Sequence, residues 1–170
     1  MKSLADQMAF YQAYHHHPHN RATHFIGVPM IIIALLIPMA WVRIPIAGFS
    51  FSLALLFSLV VLTYYFLLDW LVALGFILVY ALLFAAGEYI GTDFSMAKGG
   101  IFFAGLFFGG WALQLIGHGI EGRRPALVDN FLQIFIAPLF LFTEILFSCG
   151  FRPDLKKEVL EKAKQHRPSQ

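Results

Sequence analysis

Cysteine is nearly absent from this chain: one residue, Cys149, in 170. A single thiol makes no internal disulfide and no cysteine-based metal site, so any metal must be held by histidine and carboxylate. Charge is scarce as well. Charged residues make up 13% against 59% apolar, where a water-soluble domain carries about 25% charged residues. That deficit excludes a soluble domain and points to a membrane protein. The net charge of +2 is too small for nucleic-acid binding. The opening "MKSLADQMAFYQAY" lacks the uninterrupted apolar core of a cleavable signal peptide and reads as part of the mature protein. Also missing are internal repeats, low-complexity tracts and any boundary before the basic tail "RPDLKKEVLEKAKQHRPSQ". The expected organisation is one polytopic membrane domain over 1–151 and a basic polar tail over 152–170.

What is present is a series of apolar segments. Leu4, Met8, Tyr11 and Tyr14 recur at helical spacing, which predicts a short amphipathic helix at the interface. Pro18 ends it and suits the first position of the next helix. Apolar runs follow at roughly 24–42, 47–68, 70–87 and 100–118, each near the ~20 residues a span requires. Asp69 splits the second from the third, which predicts a tight helical hairpin. Pro38 and Pro45 predict a turn at the far end of the first, and "GEYIGTDFSMAKGG" is a polar break before the fourth. The expected fold is therefore all-α, with four transmembrane helices. The fifth run, 131–150, holds Pro138 and Glu144. If it dips in and returns, ten of the twelve Lys and Arg residues share one side. The positive-inside rule favours that re-entrant or interfacial reading and places the basic side in the cytoplasm.

Five of the seven histidines lie within "YHHHPHNRATHFIGVP", at His15, His16, His17, His19 and His24. Four spans return the chain to the same edge, where "WALQLIGHGIEGRRPALVDN" supplies Gln114, His118 and Glu121 on one helical face. Gly117 and Gly119 flank His118 and would admit a neighbouring helix. Ionisable groups at membrane depth mark function. Imidazole with carboxylate suits Fe(II), Zn or Ni, and the histidines are too few for a two-metal centre. A metal transporter is a rival reading, but it requires polar residues in the middles of several spans. A structural protein whose histidines bind no metal is another.

Together these two motifs resemble the small membrane dioxygenases of 2-hydroxy fatty acid alpha-oxidation, which act on the 2-hydroxy acid arising from phytosphingosine breakdown. The resemblance extends over nearly the whole chain. It implies an Fe(II)-dependent enzyme of a bacterial inner membrane or the endoplasmic reticulum. Its partners would be a long-chain 2-hydroxy fatty acid, O2 and membrane lipid, with CO2 released and a fatty acid one carbon shorter as product. The family pattern falls on His15, Pro18, Asn20 and His24, then on Gln114, His118, Glu121, Arg124 and Pro125. It implies His15, His24, His118 and Glu121 as metal ligands and catalytic residues. His16, His19, Asn20 and Gln114 would stand behind them, with His17 and His19 beside the matching positions rather than on them. Arg124, Arg123 or Arg21 could pair with the substrate carboxylate.

Overall fold

The computed structural model describes residues 3–122, 125, 128 and 130–165. Helix α1 (Leu4–Gln12) opens with a capping box. The Ser3 hydroxyl accepts from the Asp6 N–H, and the Asp6 carboxylate accepts from the Ser3 N–H. Helix α2 (Pro18–Trp41) starts with Pro18 in its first turn, as expected, and His17 caps it by accepting from the His19 N–H. Pro38 does not end this helix. The turn lies beyond Trp41, in a two-stranded hairpin of β1 (Arg43–Ile46) and β2 (Phe49–Ser52). Its two linking residues, Ala47 and Gly48, both have positive φ, at 50° and 83°. That backbone twist matches the twist of a tight hairpin. Apart from these strands, the secondary structure among the described residues is helical.

The hairpin takes the first residues of the expected second span, so α3 (Leu53–Leu68) is 16 residues long. At about 1.5 Å per residue that is ~24 Å, short of a ~30 Å hydrocarbon core. Among the described residues, three helices are long and apolar enough to cross a membrane: α2, α4 (Trp70–Asp93) and α5 (Met96–Glu121). Asp69 both ends α3 and caps α4, accepting from the Val72 N–H, and so makes the predicted tight hairpin. The polar break before α5 shrinks to Phe94 and Ser95, because α4 continues through Asp93.

Helix α6 (Gln133–Ser148) is the fifth apolar segment. Its Glu144 pairs with Arg21 at the start of α2. Arg152, just beyond it, grips Asp69 with two hydrogen bonds of 2.9 and 2.6 Å. Both partners lie at the edge where α2 begins and α3 meets α4. The segment therefore leaves on the side that holds the N-terminus and does not span. Helix α7 (Pro153–Gln165) lies on α1, with Lys162 paired to Asp6 and with Leu155, Val159 and Ala163 buried. The N-terminal helix forms where its spacing predicts, and α6 and α7 cover its apolar residues Leu4, Met8 and Tyr11. The largest core cluster joins α1, α2, α3, α4, α6 and α7, with Val28 from α2 and with Tyr65, Phe76, Tyr80 and Phe140 among its large side chains. Helix α5 stands outside it and packs along α2.

Candidate metal centre

Three histidines from three segments meet just inside the edge where α2 begins. His15 follows α1, His24 lies nearly two turns inside α2, and His118 lies near the end of α5. All are buried, at 2%, 3% and 5% exposure. The close crossing of α5 on α2 depends on Gly117, where any Cβ would overlap Thr23 Oγ1 and Asn20 Oδ1. Gly119 has open space beside it and plays no part in the approach.

The ring orientations are fixed by backbone carbonyls. His15 Nδ1 lies 2.8 Å from the Tyr11 carbonyl oxygen, and His24 Nδ1 lies 2.9 Å from that of Asn20. A carbonyl only accepts, so each Nδ1 carries the proton and each Nε2 presents a bare lone pair. Those two Nε2 atoms face each other at 3.1 Å. Two lone pairs at that distance repel unless a cation lies between them. A proton is a poor candidate. Burial first, and then the neighbouring His24, lower the His15 pKa to about 2. His118 contributes a buried Nδ1 with no hydrogen-bond partner. One nitrogen from each ring lies within 4.8 Å of the others, the one such group of three found among the described residues. Tyr11 stacks on His15 with ring centroids 4.0 Å apart and planes at 4°. The residues present fit a metal ion held by three neutral imidazoles.

Glu121 is placed differently from the expected ligand. One of its oxygens accepts from the His16 N–H at 3.1 Å, and the other from the His17 N–H at 2.7 Å and Asn20 Nδ2 at 3.1 Å. It ties the end of α5 to the free N–H groups where α2 begins, a place that favours a carboxylate. His16 and His19 are exposed, and His17 is occupied as the cap of α2; none belongs to the buried three. Asn20 is fully buried and anchors the Glu121 carboxylate. Arg21, expected to meet the substrate carboxylate, is engaged by Glu144 and does not line the cavity described next. Arg123 and Arg124 lie outside the described residues.

A cavity of about 430 Å³ opens from the histidines. It follows the α2 stripe His24, Val28, Ile31, Leu35 and Met39, and its walls are almost wholly carbon. Two buried amides interrupt them. Gln114 Nε2, one turn from His118, has no hydrogen-bond partner. Gln133 Nε2 donates to Gln7 Oε1 at 2.8 Å, and its own Oε1 is unpartnered. Gln133 and Tyr11 escaped the sequence reasoning. The signal for Tyr11 was its four-residue spacing to His15. For Gln133 it was a lone amide at the head of an apolar run.

The family model described as 2-hydroxy-palmitic acid dioxygenase Mpo1-like matches residues 1–149. The chain is 36% identical over 157 residues to the 2-hydroxy-palmitic acid dioxygenase MPO1 of Saccharomyces cerevisiae, which covers 90% of this chain and 85% of the relative. No solved structure gives a significant match.

Proposed function

The chain belongs to the 2-hydroxy-palmitic acid dioxygenase Mpo1-like family, and on that footing we propose that it is an Fe(II)-dependent dioxygenase of long-chain 2-hydroxy fatty acids. The observation that carries this reading is the pair of facing Nε2 lone pairs at one end of an apolar cavity that runs along α2. His15, His24 and His118 would hold the metal. Imidazoles alone also suit zinc, but zinc has no redox chemistry to offer O2. When bound, Fe(II) would supply electrons to O2 and polarise the carboxylate and 2-hydroxyl oxygens of the substrate.

The overall change is balanced without any organic cosubstrate. The 2-hydroxy acid and O2 give the acid one carbon shorter, CO2 and water. The C1–C2 bond breaks, and the four electrons leaving the substrate reduce one O2. The protein's part is positioning. The Tyr11 and Asn20 carbonyls hold two imidazoles in the tautomer that presents Nε2. The Gln114 Nε2–H donates to an oxygen of the substrate head group, the polar partner this buried amide otherwise lacks. The carbon-lined cavity takes the acyl chain and keeps water from the reacting carbon. Glu121 holds the histidine turn in place. Residues 1–151 act as the catalytic domain, with the histidine edge and the basic residues 152–170 on the cytoplasmic side. The carbon lining of the cavity argues against a metal path through the bundle.

The test is anaerobic purification with iron, followed by assay of 2-hydroxypalmitate and palmitate under O2. The expected result is pentadecanoate and CO2 from the first and no reaction of the second. An absolute requirement for 2-oxoglutarate, or equal turnover of lactate, would overturn the proposal.

A further inference from the structure

We propose that Met39, Phe57 and Tyr80 form a fixed floor that sets the longest acyl chain the enzyme accepts, an inference that rests on the cavity holding the acyl chain. Leu35 and Met39 are eleven and fifteen residues beyond His24 on α2, and both line the cavity. At about 1.5 Å per residue, the floor lies roughly 16–22 Å along the helix from the histidines. An extended chain advances about 1.2 Å per bond, so this depth holds roughly 13 to 18 bonds. A palmitoyl-length chain fills it, and a much longer one meets the floor.

Level with the floor, α2 and α4 leave no gap through which the cavity could continue between them. There α4 presses directly on α2. A Cβ on Gly87 would stand 2.6 Å from Leu36 Cβ, and one on Gly91 would stand 2.7 Å from Ala40 Cβ and 2.8 Å from the Ile37 carbonyl oxygen. The floor is also braced. The Tyr80 hydroxyl donates to Ser58 Oγ at 3.1 Å, and the Ser58 hydroxyl donates to the Ala54 carbonyl at 2.6 Å. Tyr80 and Ser58 are 3% and 4% exposed, so this chain of bonds lies inside the bundle and ties α4 to α3. Phe57 packs against the Leu36, Ala40 and Ala54 cluster and against the Phe135 ring, with centroids 6.4 Å apart. Met39 is the one flexible member. Both hydroxyl protons are already donated, so the floor offers no donor to a terminal hydroxyl or carboxylate and suits a methyl end.

Shape has to make this selection, because hydrophobicity does not. A long acid comes from lipid tails as apolar as the cavity, and burial gives little preference for one length over another. A chain that overruns the floor is penalised sharply, since one methylene in a fitted pocket is worth about 10–200-fold.

The experiment compares 2-hydroxydecanoate, 2-hydroxypalmitate and 2-hydroxytetracosanoate in the full-length iron-loaded enzyme in lipid nanodiscs. Both turnover and saturation binding of each labelled acid are measured. Met39→Trp raises the floor and should lower the 2-hydroxypalmitate-to-2-hydroxydecanoate ratio of kcat/KM, and of affinity, at least tenfold. Met39→Ala lowers the floor and should move both ratios towards the longest acid. Leu78→Trp adds the same bulk on the lipid-facing side of α4, where Leu78 is 72% exposed, and should leave the ratios alone. Unchanged ratios in both Met39 variants, or an equal shift in Leu78→Trp, overturn the floor. If the unaltered enzyme turns over none of the acids, the functional reading fails instead, and the binding ratios still decide whether the floor exists.

Discussion

The two edges of the bundle are built differently. At the edge where α2 begins, α1, α5, α6 and α7 converge, and three ion pairs join segments far apart in the chain. These are Arg21 with Glu144, Asp69 with Arg152, and Asp6 with Lys162. At the other edge the chain merely turns around, through a hairpin with a two-residue turn and a two-residue link between α4 and α5. The ion pair found there among the described residues is Arg43 with Glu88, backed by Ser52 donating to Glu88. The long-range polar contacts are thus gathered where the histidines lie. Damage at the two edges should therefore differ in kind as well as in size.

The largest effect belongs to the histidines themselves. His15→Ala, His24→Ala and His118→Ala should each lose bound iron and more than about 100-fold of activity, since even supporting residues behind a metal cost 10–100-fold. Metal analysis and turnover of the purified variants check this, and stoichiometric iron with full activity in His118→Ala would remove it from the centre. Glu121 comes next and sharpens the comparison within the edge. If it holds the turn and does not touch metal, Glu121→Gln should weaken iron binding by about 10–100-fold, with activity returning at saturating iron. An iron-free protein that no excess of iron restores would make Glu121 a ligand after all.

Two glycines set the edges against each other directly. Gly117→Ala drives a methyl into Thr23 and Asn20, and Gly91→Ala drives one into Ala40 and Ile37. Overpacking of this kind costs about 1–3 kcal/mol, so both variants should melt earlier. Only Gly117→Ala displaces the residue that anchors Glu121, so only that variant should also lose iron affinity. Equal iron affinity in the two would mean the centre tolerates movement of α5.

Much of this division was legible in the sequence. The apolar runs gave the long helices, Asp69 marked the α3–α4 hairpin, and the count of basic residues turned α6 back to its own side. The two histidine motifs pointed to one edge because four alternating passes leave no other arrangement. The misses share a physical cause: polar groups choose partners that spacing does not encode. Glu121 stands three residues from His118, as a ligand on its face should, yet the unsatisfied N–H groups at the start of α2 claim it. Arg21 lies beside the cluster in sequence, but its partner Glu144 is 123 residues away. Gln133 gains meaning only when α1 brings Gln7 against it. The hairpin was hidden because Ala47, Phe49 and Phe51 read as the start of the next apolar run, and the positive φ at Ala47 and Gly48 decides the conformation there.

The smallest expected effect tests whether α7 is held at this edge by charge. Lys162 donates to Asp6 at 2.7 Å and also pairs with Glu158 within its own helix. The hydrogen bond from Lys162, and then those from Ser3, lower the Asp6 pKa to about 2 from an ordinary value of 3.8. A carboxylate whose folded pKa is depressed stabilises above its unfolded pKa and loses that contribution as pH falls through the folded value. Lys162 is raised by the same contact, and its contribution is lost only as pH climbs past the usual lysine range. The clamp should therefore be whole between roughly pH 4 and pH 10 and open as pH falls towards 2. The pair is well exposed, and solvent screening keeps its effect small, so α7 should loosen without the bundle unfolding. A spin label on Glu161→Cys in a Cys149→Ser background reports this directly. Its mobility should rise between pH 4 and pH 2 and should already be high at pH 7 in Asp6→Asn. A label equally immobile in Asp6→Asn and in the unaltered chain would mean that Leu155 and Val159, buried on the underside of the helix, hold it without help from the charges.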